Sequence, residues 1–191
     1  MNSSATSSAP PSVSAARQPL LLPLSIVAAV ASAAALSLLN KGLQNAAAPQ
    51  GVVSLETART LAGEQAVMAS WGGHQVTILA FSTGLAFFCS AAMTIALALG
   101  CARLARRAGA AFPLLSRAGA TLAAALWVVG FFWIVEDGLL SVELFGHATS
   151  ATAFFTWCTA VLKFLALGAG TAYIAGAGAA LLLRRKDVPP G

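Results

Sequence analysis

Four long apolar stretches dominate the chain and predict four membrane-spanning helices. They cover about residues 20–39, 76–100, 118–140 and 151–183. At ~1.5 Å of rise per residue, each can cross a hydrocarbon core about 30 Å thick. Lipid accepts only backbone whose hydrogen bonds are closed internally, as in a helix. The pattern therefore predicts an all-α fold, a transmembrane four-helix bundle within a membrane domain at 19–186.

The polar stretch at 40–75 predicts a short surface helix between spans 1 and 2. Ser54 is a suitable N-cap, and the Gly72–Gly73 pair is a suitable end. The apolar residues between them lie only loosely on one side, so the amphipathicity is mild. We expect this helix to lie on the membrane surface or to cap the bundle.

The two ends of the chain are predicted to be tails. Residues 1–18 are rich in Ser, Ala and Pro and are expected to be disordered, and residues 187–191 form a short C-terminal tail. A signal peptide cleaved after Ala31-Ser32-Ala33 is the alternative for the first span. Apolar sequence continues to Leu39, which favours a span. The acid-free N-terminus also leaves an organellar transit peptide open.

The distribution of charge predicts the orientation. The chain has 11 Lys and Arg against 6 Asp and Glu, a net charge of +5. Most of the surplus lies in the 101–117 loop and in the last residues, Arg184-Arg185-Lys186, whereas 40–75 balances two basic against two acidic residues. By the positive-inside rule both termini face the cytoplasm. We expect a multi-pass protein of the bacterial cytoplasmic (inner) membrane, with the lipid bilayer and membrane proteins as partners and no nucleic acid.

Three charged residues interrupt the apolar spans and form the candidate site. Glu136 and Asp137 lie in the third span, and Lys163 lies in the fourth. Counted from the arginines at the span ends, Glu136 and Lys163 fall at similar depth, so an ion pair or hydrogen bond from Lys163 to Glu136 or Asp137 is expected. Asp137 points about 100° away from Glu136 and is expected to reach the outer water. The aromatic residues expected to line this polar core are Phe132, Trp133 and Trp157.

Neither a catalytic set nor a metal site is expected. His74 and His147 lie outside the spans, with no further ligand at suitable spacing. No histidine base lies at the depth of the Ser and Thr side chains in the spans. The cysteines, which lack CxxC spacing and are expected only to pack, are Cys89, Cys101 and Cys158. No cofactor is predicted.

Small residues recur at every fourth position in three of the spans. Such stripes let helix backbones approach closely and indicate a compact bundle. They comprise Ser25, Ala29, Ala33 and Ser37 in the first span, Ser82, Ala86, Ser90, Thr94 and Ala98 in the second, and Gly168, Ala172, Gly176 and Ala180 in the fourth.

Four segments carry a family resemblance. They are QGVVSLETARTLAGEQAVMASWGG at 50–73, FSTGL at 81–85, VEDGLL at 135–140 and LKF at 162–164. Together they resemble an uncharacterised family of small bacterial four-span membrane proteins without an established activity. The resemblance implies that Glu136 and Lys163 belong to a shared polar core. That family often has an acid where this chain has Ala86, which weakens the case for a three-residue charge relay.

These observations favour a non-enzymatic bundle that acts as an accessory or assembly component of a larger membrane complex. The first alternative is binding or transport of a small lipophilic or amphipathic molecule at the Glu136/Lys163 cluster, expected in the outer leaflet. The second is a membrane oxidoreductase that uses haem or quinone, suggested by the two outer histidines and the aromatic residues.

Overall fold

The predicted all-α four-span architecture is confirmed. The computed structural model describes the backbone of residues 18–186 and the side chains of residues 20–184. Four of its helices are long and apolar enough to cross a membrane, which makes the chain an integral membrane protein. The predicted tails lie outside the described residues, apart from Gln18, where the first helix begins.

The helices extend beyond the apolar stretches from which they were predicted. In chain order they are α1 Gln18–Lys41, α2 Val52–Glu56, α3 Leu61–Ala69, α4 Gly73–Ala108, α5 Pro113–Leu144 and α6 Ser150–Lys186. The 36 residues of α4 measure about 54 Å, more than the ~30 Å hydrocarbon core requires. The connection between α4 and α5 is sharp because Gly109 has a positive φ of 46° and Pro113 starts the next helix.

The second span, α4, is the centre of the bundle. It packs against α1, α5 and α6, and α5 also packs against α6, whereas α1 packs chiefly on α4. We call the end of the bundle that bears α2 and α3 the capped end. The opposite end, which we call the arginine end, bears Arg103, Arg106, Arg107, Arg117 and Arg184.

Helical structure between spans 1 and 2 is present as predicted, but two short helices stand in place of the single one expected from Ser54 to Gly72. The chain breaks between them, where Arg59 adopts a left-handed conformation with φ of 62°. Thr60 then starts α3, since its hydroxyl oxygen accepts a hydrogen bond from the Gly63 amide at 3.2 Å. Ser54 lies inside α2 and does not cap it; Gly51 is the residue that precedes that helix.

An apolar core holds the cap onto the spans. Leu55 of α2 and Val67 of α3 pack with Leu79 of α4 and Leu140 of α5, and all four side chains are buried. The indole of Trp71 lies in the same cluster and donates a hydrogen bond to the carbonyl oxygen of Leu43 at 2.8 Å. Burial of this much apolar surface makes the cap a packed part of the bundle and not a loose surface helix.

The small-residue stripes differ in what they contact. In α4 the stripe is largely buried, and Thr94 packs so closely on Gly130 of α5 that a Cβ atom at Gly130 would clash with it. In α6 the corresponding stripe faces outward, because Gly168, Ala172 and Gly176 are all exposed. Close helix approach is therefore used between α4 and α5 but not by the α6 stripe within this chain.

Candidate functional site

Lys163 is buried between two carboxylates at the capped end. Its Nζ atom lies 2.8 Å from Oε2 of Glu56 and 2.6 Å from Oε1 of Glu136. Only 4% of its surface is exposed, so it does not reach out to water. The three residues Lys163, Glu56 and Glu136 come from α6, α2 and α5, and their two ion pairs therefore tie the cap to two spans. Burying a charge is tolerable only with such compensation.

Asp137 is buried beside this group, which corrects the expectation that it reaches the outer water. It is 1% exposed, and its Oδ2 atom accepts a hydrogen bond from the Ser90 hydroxyl at 2.6 Å. The close packing of α4 on α5 covers the face of α5 from which Asp137 projects. Helical spacing gave the direction of the side chain but not which helix lies there.

A cavity of about 150 Å³ adjoins these charges. All four spans and α2 contribute to its wall, which is mostly apolar. The polar groups in the wall include Glu56, Asp137, Lys163 and the hydroxyl residues Ser82 and Thr83. An apolar chamber with a few convergent polar groups is the usual form of a small-molecule site.

Only one of the three aromatic residues expected in the lining faces the cavity. Trp133 lines it, and the Nζ atom of Lys163 lies 5.6 Å from the centre of that ring. Phe132 is 41% exposed and lies outside the wall, edge-on to Phe131. Trp157 lies elsewhere too, with the Arg59 guanidinium 5.0 Å from its ring centre. The expectations for Phe132 and Trp157 are therefore wrong, because neither side chain belongs to the cavity wall.

The charges around the cavity do not balance. One ammonium group, that of Lys163, faces the three carboxyl groups of Glu56, Glu136 and Asp137. The Oε2 atom of Glu136 is buried without a hydrogen-bond partner among the described residues. Uncompensated charge in a low-dielectric interior is costly, so the surplus of carboxyl groups favours uptake of a proton or a cationic group.

A second pair of carboxyl groups, those of Glu64 and Glu143, lies closer to the cap and forms no ion pair among the described residues. Glu64 of α3 is 2% exposed, and neither of its carboxyl oxygens has a hydrogen-bond partner among the described residues. Burial, and then the charge of nearby Glu143, raise the pKa of Glu64 to about 7. Glu143 of α5 accepts a hydrogen bond from the Thr156 hydroxyl of α6 at 3.0 Å, and its other oxygen has no partner among the described residues.

The two clusters repeat one arrangement. In each, an acid from the cap lies near an acid of α5, and the acid of α5 contacts a polar residue of α6. Glu143 follows Glu136 by seven residues, and Thr156 precedes Lys163 by seven, so the clusters lie two helical turns apart, about 10 Å. The main difference is that α6 supplies an ammonium group to the deeper cluster and only a hydroxyl to the other.

Sequence reasoning missed the acids of the cap. Glu56 and Glu64 were expected only to balance nearby basic residues, and Glu143 was not singled out. One signal was present in the sequence, since Glu143 shares the face of α5 with Glu136 at a spacing of seven. No spacing rule connects Glu56 to Lys163, which lies 107 residues away along the chain.

The other sequence candidates lie away from the cavity or have a packing role. His74 and His147 are both exposed at the capped end. Among the described residues no group of three or more His, Cys, Asp or Glu side chains could hold a metal ion. Cys89 and Cys101 are buried and free, and Cys89 forms part of the cavity wall. Ala86, where the resembling family often has an acid, also lines the cavity.

The chain matches no protein-family model, no curated protein and no solved structure. The class of protein is therefore defined by the fold and the site alone: a four-span integral membrane protein with a charged cavity beneath a helical cap. The resemblance to a bacterial four-span family stays a prediction.

Proposed function

We propose that this integral membrane protein binds a small amphipathic molecule in the cavity beside Lys163. The cavity itself supports the proposal most directly, because its volume of about 150 Å³ equals that of an engineered protein cavity that holds benzene (~150 Å³). Its wall combines an apolar majority with carboxyl, hydroxyl and ammonium groups, as a ligand with one polar end requires.

The polar end of the ligand is a cation or a strong hydrogen-bond donor. Three carboxyl groups face one ammonium group, so a primary amine entering the cavity relieves the imbalance. A carboxylate would add to it. Asp137 is the natural acceptor for the ligand, because Glu56 and Glu136 are both engaged with Lys163.

We also propose an orientation of the protein in the membrane. The arginine end faces the cytoplasm of a bacterial cell and the capped end faces outward, in agreement with the positive-inside rule. Glu56 belongs to the short helix α2, so movement of the cap would open the cavity from the outer side. Binding at this site is non-enzymatic in this proposal.

Three aromatic probes of matched size test the proposal. Benzylamine, benzyl alcohol and benzoate are titrated into the purified full-length protein in a non-ionic detergent, and affinity is measured by ligand-observed NMR. We expect benzylamine to bind tightest and benzoate weakest, because the cavity has a surplus of carboxyl groups. In the Asp137→Asn variant the preference for the amine over the alcohol should fall about tenfold, as a lost charge-assisted hydrogen bond implies.

A size variant separates binding in the cavity from binding elsewhere. Ala86→Leu places a larger side chain in the cavity wall and should abolish binding of all three probes. Ala80→Leu makes the same change at an exposed position of α4 and should leave binding unchanged. Equal affinity for the three probes, or equal behaviour of the two leucine variants, would refute the proposal.

The exposed stripe on α6 favours a second function, that of an accessory subunit in a larger membrane complex. Gly168, Ala172 and Gly176 form a smooth outward surface on which a partner helix could pack closely. Extraction in a mild detergent should then retain one or more polypeptides that the Ala172→Leu variant loses. If the wild-type protein is extracted alone and as a monomer, the accessory function is refuted.

A further inference from the structure

An apolar groove with two arginines in its wall lies at the arginine end of the bundle. The groove lies between α1, α4 and α6 and has a volume of about 500 Å³. Apolar side chains such as Ile26, Val30 and Ile174 form its wall, and Arg103 and Arg107 of α4 are the charged residues in it. The groove exists because α1 packs chiefly on α4 and leaves the space in front of α6 open.

Arg103 and Arg107 have no counter-charge among the described residues. All five described carboxyl side chains, those of Glu56, Glu64, Glu136, Asp137 and Glu143, belong to the capped half of the bundle. The ion pairs of the described residues are both made by Lys163. Arg103 and Arg107 are exposed one helical turn apart on the same face of α4. Their positive charge is therefore available to a partner from outside the chain.

The dimensions of the groove match one leaflet of a bilayer. Met93 belongs to the wall and lies ten residues before Arg103, which places it about 15 Å deeper along α4. Half of a hydrocarbon core is also about 15 Å thick. An acyl chain lying in the groove would thus bring the phosphate of its lipid to the level of the two guanidinium groups.

We propose that this groove is a binding site for an anionic phospholipid. The acyl chain lies against α1, α4 and α6, and the phosphate and the anionic head group contact Arg103 and Arg107. Charge complementarity selects the occupant, because an apolar groove alone would accept any lipid chain. Guanidinium groups also suit phosphate through paired N–H donors.

Two lipids with the same acyl chains test the proposal. Phosphatidylglycerol and phosphatidylcholine are added to the purified full-length protein in a non-ionic detergent, and native mass spectrometry measures the bound fraction of each. An arginine near an anionic head group contributes about fivefold in affinity. We expect phosphatidylglycerol to bind at least about tenfold tighter. The double variant Arg103→Gln/Arg107→Gln should reduce that preference to less than about twofold.

Matched variants distinguish the groove from simple surface charge. Arg106→Gln removes the same charge from α4 outside the groove wall and should keep the preference. Val30→Phe fills the groove and should weaken the binding of both lipids, whereas Val27→Phe alters an exposed residue of α1 outside the wall and should not. Equal binding of the two lipids, a loss with Arg106→Gln, or no loss with Val30→Phe would overturn the proposal. A lipid-free dimer that Val30→Phe dissociates would overturn it too, by identifying a second copy as the occupant.

Discussion

The basic residues at the two ends of the bundle differ in how their charge is compensated. At the capped end Lys163 is 4% exposed and held by two carboxylates within 2.8 Å, so its charge is compensated inside the chain. At the arginine end Arg103 and Arg107 are exposed beside an apolar groove and have no carboxylate partner among the described side chains. Internal compensation fixes helices to one another, and external compensation selects what binds from the bilayer.

A similar contrast exists within the capped end itself. In the cluster around Lys163 an ammonium group pairs with two of the carboxylates. Glu64 and Glu143 lie near each other with no ammonium or guanidinium group paired to them among the described residues. Lys163 therefore ties three helices together in the first cluster, whereas the docking of α3 in the second depends on whether Glu64 holds a proton.

The largest effect is expected for Lys163→Met. The variant leaves Glu56 and Glu136 buried without their counter-charge, which should destabilise the fold by about 3–5 kcal/mol. Unfolding of the purified protein by a denaturing detergent measures the change. Lys41→Met is the matched control, because Lys41 is exposed at the end of α1 and should cost less than about 0.5 kcal/mol. If the two variants are equally stable, the buried ion pair does not support the fold.

The docking of α3 should depend on pH through Glu64. Its pKa is raised from 4.5 to about 7 by burial and by Glu143, so the docked state holds a proton that the undocked segment releases. Stability is complete below about pH 4.5 and falls as the pH rises through about 7, by up to ~3 kcal/mol. Hydrogen exchange of residues 61–69 at about pH 5 and about pH 8, corrected for intrinsic rates, measures this loss.

A Glu64→Gln variant supplies the control for that measurement. Its amide cannot ionise, so protection of residues 61–69 should become independent of pH over the same range. Exchange in the middle of α4 should stay unchanged in both proteins. A wild-type cap that is equally protected at both pH values would show that Glu64 does not titrate when docked.

A smaller loss is expected for Trp71→Phe at the capped end. The variant removes the hydrogen bond to the Leu43 carbonyl and leaves that buried acceptor unpaired, at a cost of about 1–2 kcal/mol. Trp127→Phe serves as the control, because Trp127 is 51% exposed on the outside of α5 and should cost less than about 0.5 kcal/mol. Thermal unfolding in detergent compares them. Equal losses would mean that the cap is not held by this contact.

The smallest effect is expected for the arginines of the groove when no lipid is present. In pure non-ionic detergent the Arg103→Gln/Arg107→Gln variant should differ from wild type by less than about 0.5 kcal/mol, because neither guanidinium supports an internal contact. Added phosphatidylglycerol should stabilise the wild type and not the variant. A large loss without lipid would mean that these arginines are compensated within the chain, and the contrast between the two ends would fail.

Much of the fold and part of the site could be predicted from the sequence. Apolar length gave four spans, and helical rise placed Glu136 and Lys163 at matching depth, where they do form an ion pair. The same periodicity could not say that Ser90 of α4 covers Asp137, or that Phe132 and Trp157 face away from the cavity. Such statements depend on which helices are neighbours, and a single-helix pattern has no information about its neighbours.

The sequence by itself determined that the chain spans a membrane and where its surplus positive charge lies, because hydrophobic length and charge position act locally. Only the tertiary structure decided that Glu56 forms an ion pair with Lys163 and that Glu64 lies near Glu143. It also decided that the small residues of α6 face outward. The physical reason is separation along the chain. Contacts between residues such as Glu56 and Lys163 form only when packing brings distant segments together.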